Sequence, residues 1–221
     1  HWTGNYFNFL GLTKDENLSW NAHINKIFSK LSRAMGILNK LKNFLPIHIK
    51  ILLYNSLILP HLNYNILLWG HRSHKIFKLQ KRIIRTITCS KYNAHTDNLF
   101  KQLKLLKVED IHLLFKYKFY YKYCNSSLPE FFEKLEFLKR SDIHDYNTRR
   151  QQDLDIPRIK HDFASFTLVY SIPKLVNNAP VSILSKVGTH SLQGFSNYIK
   201  QHLWNQYSET CTIQNCYVCN N

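Results

Sequence analysis

Three cysteines near the end of the chain, Cys211, Cys216 and Cys219, stand as C-x4-C-x2-C within CTIQNCYVC. The C-x2-C spacing lets two thiolates reach one tetrahedral zinc, and His202 upstream offers a fourth ligand. A complete structural site wants a second well-spaced pair, so free thiols explain the same residues. Asp153 and Asp155 form a DLD stretch beside Pro157. Paired carboxylates can hold divalent ions, but the polar surroundings read as a solvated loop. The twelve histidines are scattered and include no H-E-x-x-H pattern, which points to surface or core-edge roles. Arg149 and Arg150 close the stretch DYNTRR, where two adjacent guanidiniums can grip a phosphate. A turn held by the Asn147 and Thr148 side chains accounts for the same residues equally well.

The strongest chemical signal is positive charge. Lys and Arg total 30 against 14 acidic residues, a net +16 with histidines neutral. That is far more than solubility requires, so a polyanionic partner is expected. No 18-residue uncharged apolar run, signal peptide or lipidation motif is visible, which favours nucleic acid over a membrane surface. Two rows concentrate the charge. Lys26, Lys30, Arg33 and Lys40 share one stripe, and Lys75, Lys78, Arg82 and Arg85, at steps of three, four and three, share another. Like charges in a row cost helix stability unless something negative lies along them, which makes phosphate contact the sharper reading and a solvated face the plainer one.

These rows need helices to position them. With 44% hydrophobic residues and only 6 Gly and 6 Pro, the chain reads as folded and mainly α. Trp20, Ile24, Ile27, Leu31, Met35 and Leu38 step by three and four along a first helix, and its cations lie about 135 degrees around it. Pro46 reads as the first residue of a second helix with Ile49, Leu52, Leu53, Ser56 and Leu57 on its apolar side, and Pro60 as a kink or restart before Tyr64 and Trp69. A third helix, 73–88, sets Ile76, Phe77, Leu79, Ile83, Ile84 and Ile87 opposite the second basic row. Further helices are expected at 99–106, at 108–124 with its FKYKFYYKY run, and at 192–207. That aromatic run suits both a packed face and base stacking. Residues 141–159 read as a loop with short extended pieces. The opening HWTGNYFNFLGL reads as a strand or hairpin lacking partners, as in a piece of a longer polypeptide. Five cysteines without a secretory signal read as free thiols in a reducing compartment.

Several spaced motifs occur in one order: NFLGLTKDENLSWNAHINKI (8–27), LYNSLILPHLNYNILLWG (53–70), KLQKRIIRTIT (78–88), HDYNTRR (144–150), PKLVNNAP (173–180) and LQGFSNYIKQHL (192–203). Together they resemble the region downstream of the catalytic palm in non-LTR, LINE-like retrotransposon reverse transcriptases, over nearly all of the 221 residues. The resemblance matches Phe9, Leu10, Gly11 and Leu12 to the family's FLG strand beside the primer grip. It makes Trp20, His23 and Ile24 the opening of the thumb, and Pro60, Tyr64, Trp69 and Gly70 a segment that carries P, YG and WG in the family. Asn65 stands where the family usually has Gly. Val176 stands near a family Trp in a WN pair, leaving only Asn177, and both departures mark a diverged or decaying copy. The family's YADD box supplies the aspartates for two-metal catalysis, and no such pair occurs here.

The resemblance implies a palm-end strand at 1–13, thumb helices at 14–92, a further helical region at 93–140 and a small mixed tail at 141–221 with a partial zinc knuckle. It implies a template-primer grip without catalytic residues of its own, working with the upstream palm and fingers of the same polypeptide. The parent polymerase would use Mg2+, the fragment itself no cofactor unless zinc. The setting would be intracellular, a ribonucleoprotein of nucleus and cytoplasm. The alternative is a non-enzymatic basic helical protein that binds RNA or an acidic partner.

Overall fold

The computed structural model describes residues 2–3, 6–132, 134–143 and 149–208, the side chains of Trp2, Thr3, Asp162 and Phe163 apart. The protein is mainly helical. Its described residues fall into two compact units, one drawn from 1–112 and 202–208, the other from 113–201.

The first unit opens with a small antiparallel sheet in the order β1 (Trp2–Thr3), β2 (Tyr6–Phe9), β3 (Leu12–Asp15). Phe9 pairs with Leu12, so Leu10 and Gly11 form a two-residue turn, both with positive φ (46° and 81°), the conformation that matches the twist of a tight hairpin. Asp15 closes the next turn by accepting from the Ser19 backbone N–H at 2.7 Å and from the Ser19 hydroxyl. Helix α1 (Asn21–Leu41) follows, with Ile24, Ile27, Leu31, Ala34 and Leu38 buried along one face. Met35 is only half-buried, and Ala34 takes its expected place.

The segment around Pro60 is a restart. Helix α2 (Ile47–Leu57) ends, and α3 (Leu59–Asn63) and α4 (Ile66–Trp69) follow as short pieces. Pro46 is the N-cap of α2 and not its first residue. Nor does α2 bury Ile49, Leu52, Leu53 and Leu57: its buried line is Lys50, Tyr54 and Ile58, while Leu52 is 62% exposed. Helix α2 is apolar nearly all round, so periodicity could not choose its inner face. Asn65, at φ 48°, holds the left-handed turn between α3 and α4, which Asn tolerates better than most residues. Trp69 is fully buried, and its indole N–H donates to the Tyr64 carbonyl at 2.9 Å. Gly70 is required by space, because a Cβ there would lie 2.6 Å from Cγ of His112.

Helix α5 (His74–Thr88) buries Ile76, Leu79, Gln80, Ile83, Ile84 and Ile87 and packs along α1. Each fully buried Ile contributes about 1.5–3 kcal/mol relative to exposure. Gln80 is the polar centre of this core. Its Nε2 donates to the Tyr54 hydroxyl at 2.8 Å and to the Leu106 carbonyl at 2.9 Å, while its Oε1 accepts from the Val108 backbone N–H at 2.9 Å. Helix α6 (Asp97–Gln102) and the start of α7 (Val108–Cys124) complete this side, where Lys107 pairs with Asp97 at 2.8 Å.

In the second unit the FKYKFYYKY run is packed. Tyr117 and Phe119 are buried, the other rings half-buried. Tyr121 lies against Phe195 with ring centroids 5.1 Å apart and planes tilted by 31°, and donates to the His190 carbonyl, and Tyr123 meets Phe137 edge-on at 4.6 Å. Helix α8 (Arg140–Ile143) precedes the 149–155 turn, α9 (Leu168–Asn177) carries Pro173 inside it, and α10 (Val181–Leu184) and α11 (Leu192–Asn205) end the chain's described helices. Asn177 clips Leu154 at both backbone groups, accepting from its N–H at 2.9 Å and donating to its carbonyl at 2.8 Å.

Candidate nucleic-acid interface

Residues 25, 29, 32, 36 and 39 of α1 step by four, three, four and three, so Asn25, Ser29, Ser32, Gly36 and Asn39 form one line along the helix. Ser32 is half-buried and the other four are exposed. All five are small and uncharged, which leaves the backbone of α1 close to whatever approaches it. At about 100 degrees per residue, Lys26, Lys30, Arg33 and Lys40 lie to one side of this crest, about 95 degrees around. All four are exposed.

Helix α5 runs along the other side. Lys75 Nζ donates to Asn25 Oδ1 at 2.6 Å and sits 4.7 Å from the centre of the Phe28 ring. Lys78 and Arg82 continue the row into solvent. Toward its end the row borders a cleft of about 540 Å³ between α1 and α5, lined by Asn39 and Lys42 from one side and Arg82, Arg85 and Cys89 from the other. Two cationic rows thus flank one uncharged crest. Among the described residues none of these cations is in an ion pair.

Arg85 departs from the expected solvent-facing row. It is half-buried, and its Nε donates to the Ala94 carbonyl at 2.8 Å. Burial also lowers its pKa. The left-handed Cys89 turns the chain back across the end of α5 and brings Ala94 into reach. Arg85 therefore ties down a loop, and the exposed row is Lys75, Lys78 and Arg82.

The field of the first row registers on two histidines. The pKa of His61 is lowered by burial, then by Lys30 and Arg33; that of His23 is lowered by burial, then by Lys26 and Lys30. An anion beside these cations would offset their field at both histidines. His23 is 3% exposed, and its Nδ1 accepts from the Thr13 backbone N–H at 3.4 Å. That bond places the ring proton on Nε2, which is buried and has no acceptor among the described residues.

The remaining sequence candidates lie elsewhere. Arg149 and Arg150 are exposed in a turn of the second unit, where the Arg150 carbonyl accepts from the Asp153 N–H, while Asn147 and Thr148 lie outside the described residues. Asp153 and Asp155 are used through their backbones, pairing with Arg140 and Leu138. Cys211, Cys216 and Cys219 lie outside the described residues. His202 is half-buried, and its Nε2 lies 3.0 Å from Gln206 Nε2. Among the described residues there is no cluster of three or more His, Cys, Asp or Glu side chains fit to hold a metal, and no helix is long and apolar enough to cross a membrane. The crest is neutral, so charge spacing does not mark it; its sequence signal is the 25, 29, 32, 36, 39 spacing of small uncharged residues beside a basic stripe. Comparison with known proteins finds no matching family model, no matching curated protein and no matching solved structure.

Proposed function

We propose that the first unit grips a nucleic-acid duplex, with the crest of α1 lying along a groove and the two cationic rows on the phosphates at either side. One observation carries this reading: two rows of exposed cations, without acidic partners among the described residues, flank a line of small neutral residues on α1. A charge row meant only for solvent needs no such bare crest. The wide, shallow minor groove of an A-form-like RNA/DNA hybrid fits a helix edge of this kind better than the deep, narrow major groove does. Contacts of this type neutralise backbone charge and do not read sequence. The resemblance of residues 8–27, 53–70 and 78–88 to the palm end and thumb of a reverse transcriptase supports the same reading. The chain would then be the thumb and C-terminal region of a non-LTR retrotransposon polymerase, with catalytic aspartates and Mg2+ supplied by a palm.

The test is binding of a fluorescent RNA/DNA hybrid across a salt series, with polyglutamate as the rival ligand. Seven exposed cations predict a slope of log affinity against log salt of up to about −6. Equal affinity for polyglutamate and hybrid at matched charge, or a slope near zero, would replace this reading with that of a basic protein-interaction module.

A further inference from the structure

Beside the first cationic row, α1, α3 and the β2–β3 turn enclose a cleft of about 350 Å³. Its walls are apolar, formed by Ile27, Pro60 and the ring of Tyr64, and Lys26, Lys30 and His61 also line it. The Tyr64 hydroxyl donates to the Leu10 carbonyl, which holds the ring in a fixed plane although 47% of the residue is exposed. His23 lines the same cleft, and its buried Nε2–H has no acceptor among the described residues. A buried donor of this kind costs free energy unless something accepts from it.

From this cleft we infer a second binding site: a pocket for one unpaired nucleotide of the bound strand, with the base held between Tyr64 and Pro60 and the flanking phosphates on Lys26 and Lys30. The inference rests on the interface reading, since those two lysines belong to the row that would follow the backbone. Each part of the pocket answers one part of a nucleotide. A planar base is apolar on its faces and stacks on an aromatic ring whatever its identity. Its edge carries oxygen or nitrogen acceptors, which would satisfy the His23 donor. Its phosphates are anionic and match the lysines. The cleft lies at the small end of the range for ligand pockets, room for a single ring system and not for a dinucleotide. A paired base cannot enter, so the occupant must be bulged, frayed or at a strand end.

The experiment compares three RNA/DNA hybrids with the full chain by fluorescence anisotropy: one fully paired, one with a single bulged adenosine, and one with an abasic residue at the bulge. The bulged adenosine hybrid should bind about tenfold more tightly than the abasic one, within the range of one stacked base. Tyr64→Leu should abolish that preference, and Tyr64→Phe should keep it. His23→Phe retains a ring between Trp20 and Trp69 but removes the donor, and should reduce the preference about threefold. Thermal unfolding confirms that each variant is folded. Equal affinity for the adenosine and abasic bulges, with hybrid binding retained, overturns the pocket and leaves the interface standing. Failure to bind any of the three hybrids overturns the interface and the pocket with it.

Discussion

Replacing Lys75, Lys78 and Arg82 together by Gln removes three of the seven exposed cations without touching the buried face of α5. Gln is a comparable helix former, and the like-charge repulsion within the row disappears, so the helix itself should lose nothing. The one identifiable loss is the Lys75 ammonium over Phe28 with its bond to Asn25, about 0.5–1 kcal/mol at an exposed site. Each missing phosphate contact should take about 0.9 from the salt slope, so three should flatten it from about −6 to about −3.5. The loss should be alike for all sequences, because backbone contacts carry no sequence information. Ile83→Ala with Ile84→Ala is the matched control. Both residues are fully buried, and each truncation costs about 2–5 kcal/mol. Thermal unfolding and anisotropy titrations across salt, run on both variants, separate the two effects. A triple-Gln variant that binds with an undiminished slope, or that unfolds as readily as the double-Ala variant, would refute the assignment of this row. Arg85 is left out of the set because its guanidinium holds Ala94.

Gln80→Ala should destabilise the first unit by about 3–5 kcal/mol in urea unfolding, because the Tyr54 hydroxyl, the Leu106 carbonyl and the Val108 N–H all lose a buried partner; a loss under 1 kcal/mol would contradict the satisfied hub. Asn177→Ala should cost about 1–3 kcal/mol and loosen Leu154, and Asn177→Asp should not rescue it, since a carboxylate can accept from the Leu154 N–H but cannot donate to its carbonyl. Protection of the Leu154 amide from hydrogen exchange reports this directly. His23 has a pKa below its ordinary 6.5, so the fold prefers the neutral ring. Stability should therefore be full above pH 6.5 and fall as pH drops below it through the folded-state value, and His23→Phe should flatten that fall in thermal melts at graded pH.

How much of this could be read from residue order differs by element. Helix α5 was legible because five of its six buried positions are apolar residues at the helical period with cations between them; the sixth, Gln80, was hidden by its polarity, and Phe77, read on the same side, is only half-buried. The inner face of α2 was not, because apolar residues surround it, and the residue it buries first is Lys50. That lysine packs its stem inside and brings its ammonium to the Lys42 carbonyl at 3.1 Å. Helix α9 was hidden by Pro173, which reads as a helix breaker. The Val169 carbonyl that loses its amide partner belongs to an exposed residue, which water can serve. The basic rows were visible as spacing. The crest between them was present as the spacing of five small residues on α1 but carried no charge to mark it. The turning of Arg85 toward Ala94, and the His23 donor without an acceptor among the described residues, depend on contacts between separate segments, which no local pattern contains.

Contact between the crest of α1 and nucleic acid can be read by site-specific photocrosslinking. A benzophenone side chain placed at Ser29, on the crest, should crosslink to an RNA/DNA hybrid on irradiation, in a yield that falls with added salt. The same group at Asn55, exposed on α2, should give no more than background. Crosslinking from Asn55 equal to that from Ser29, or none from Ser29 under conditions where the hybrid is bound, would place the nucleic acid elsewhere and contradict the account.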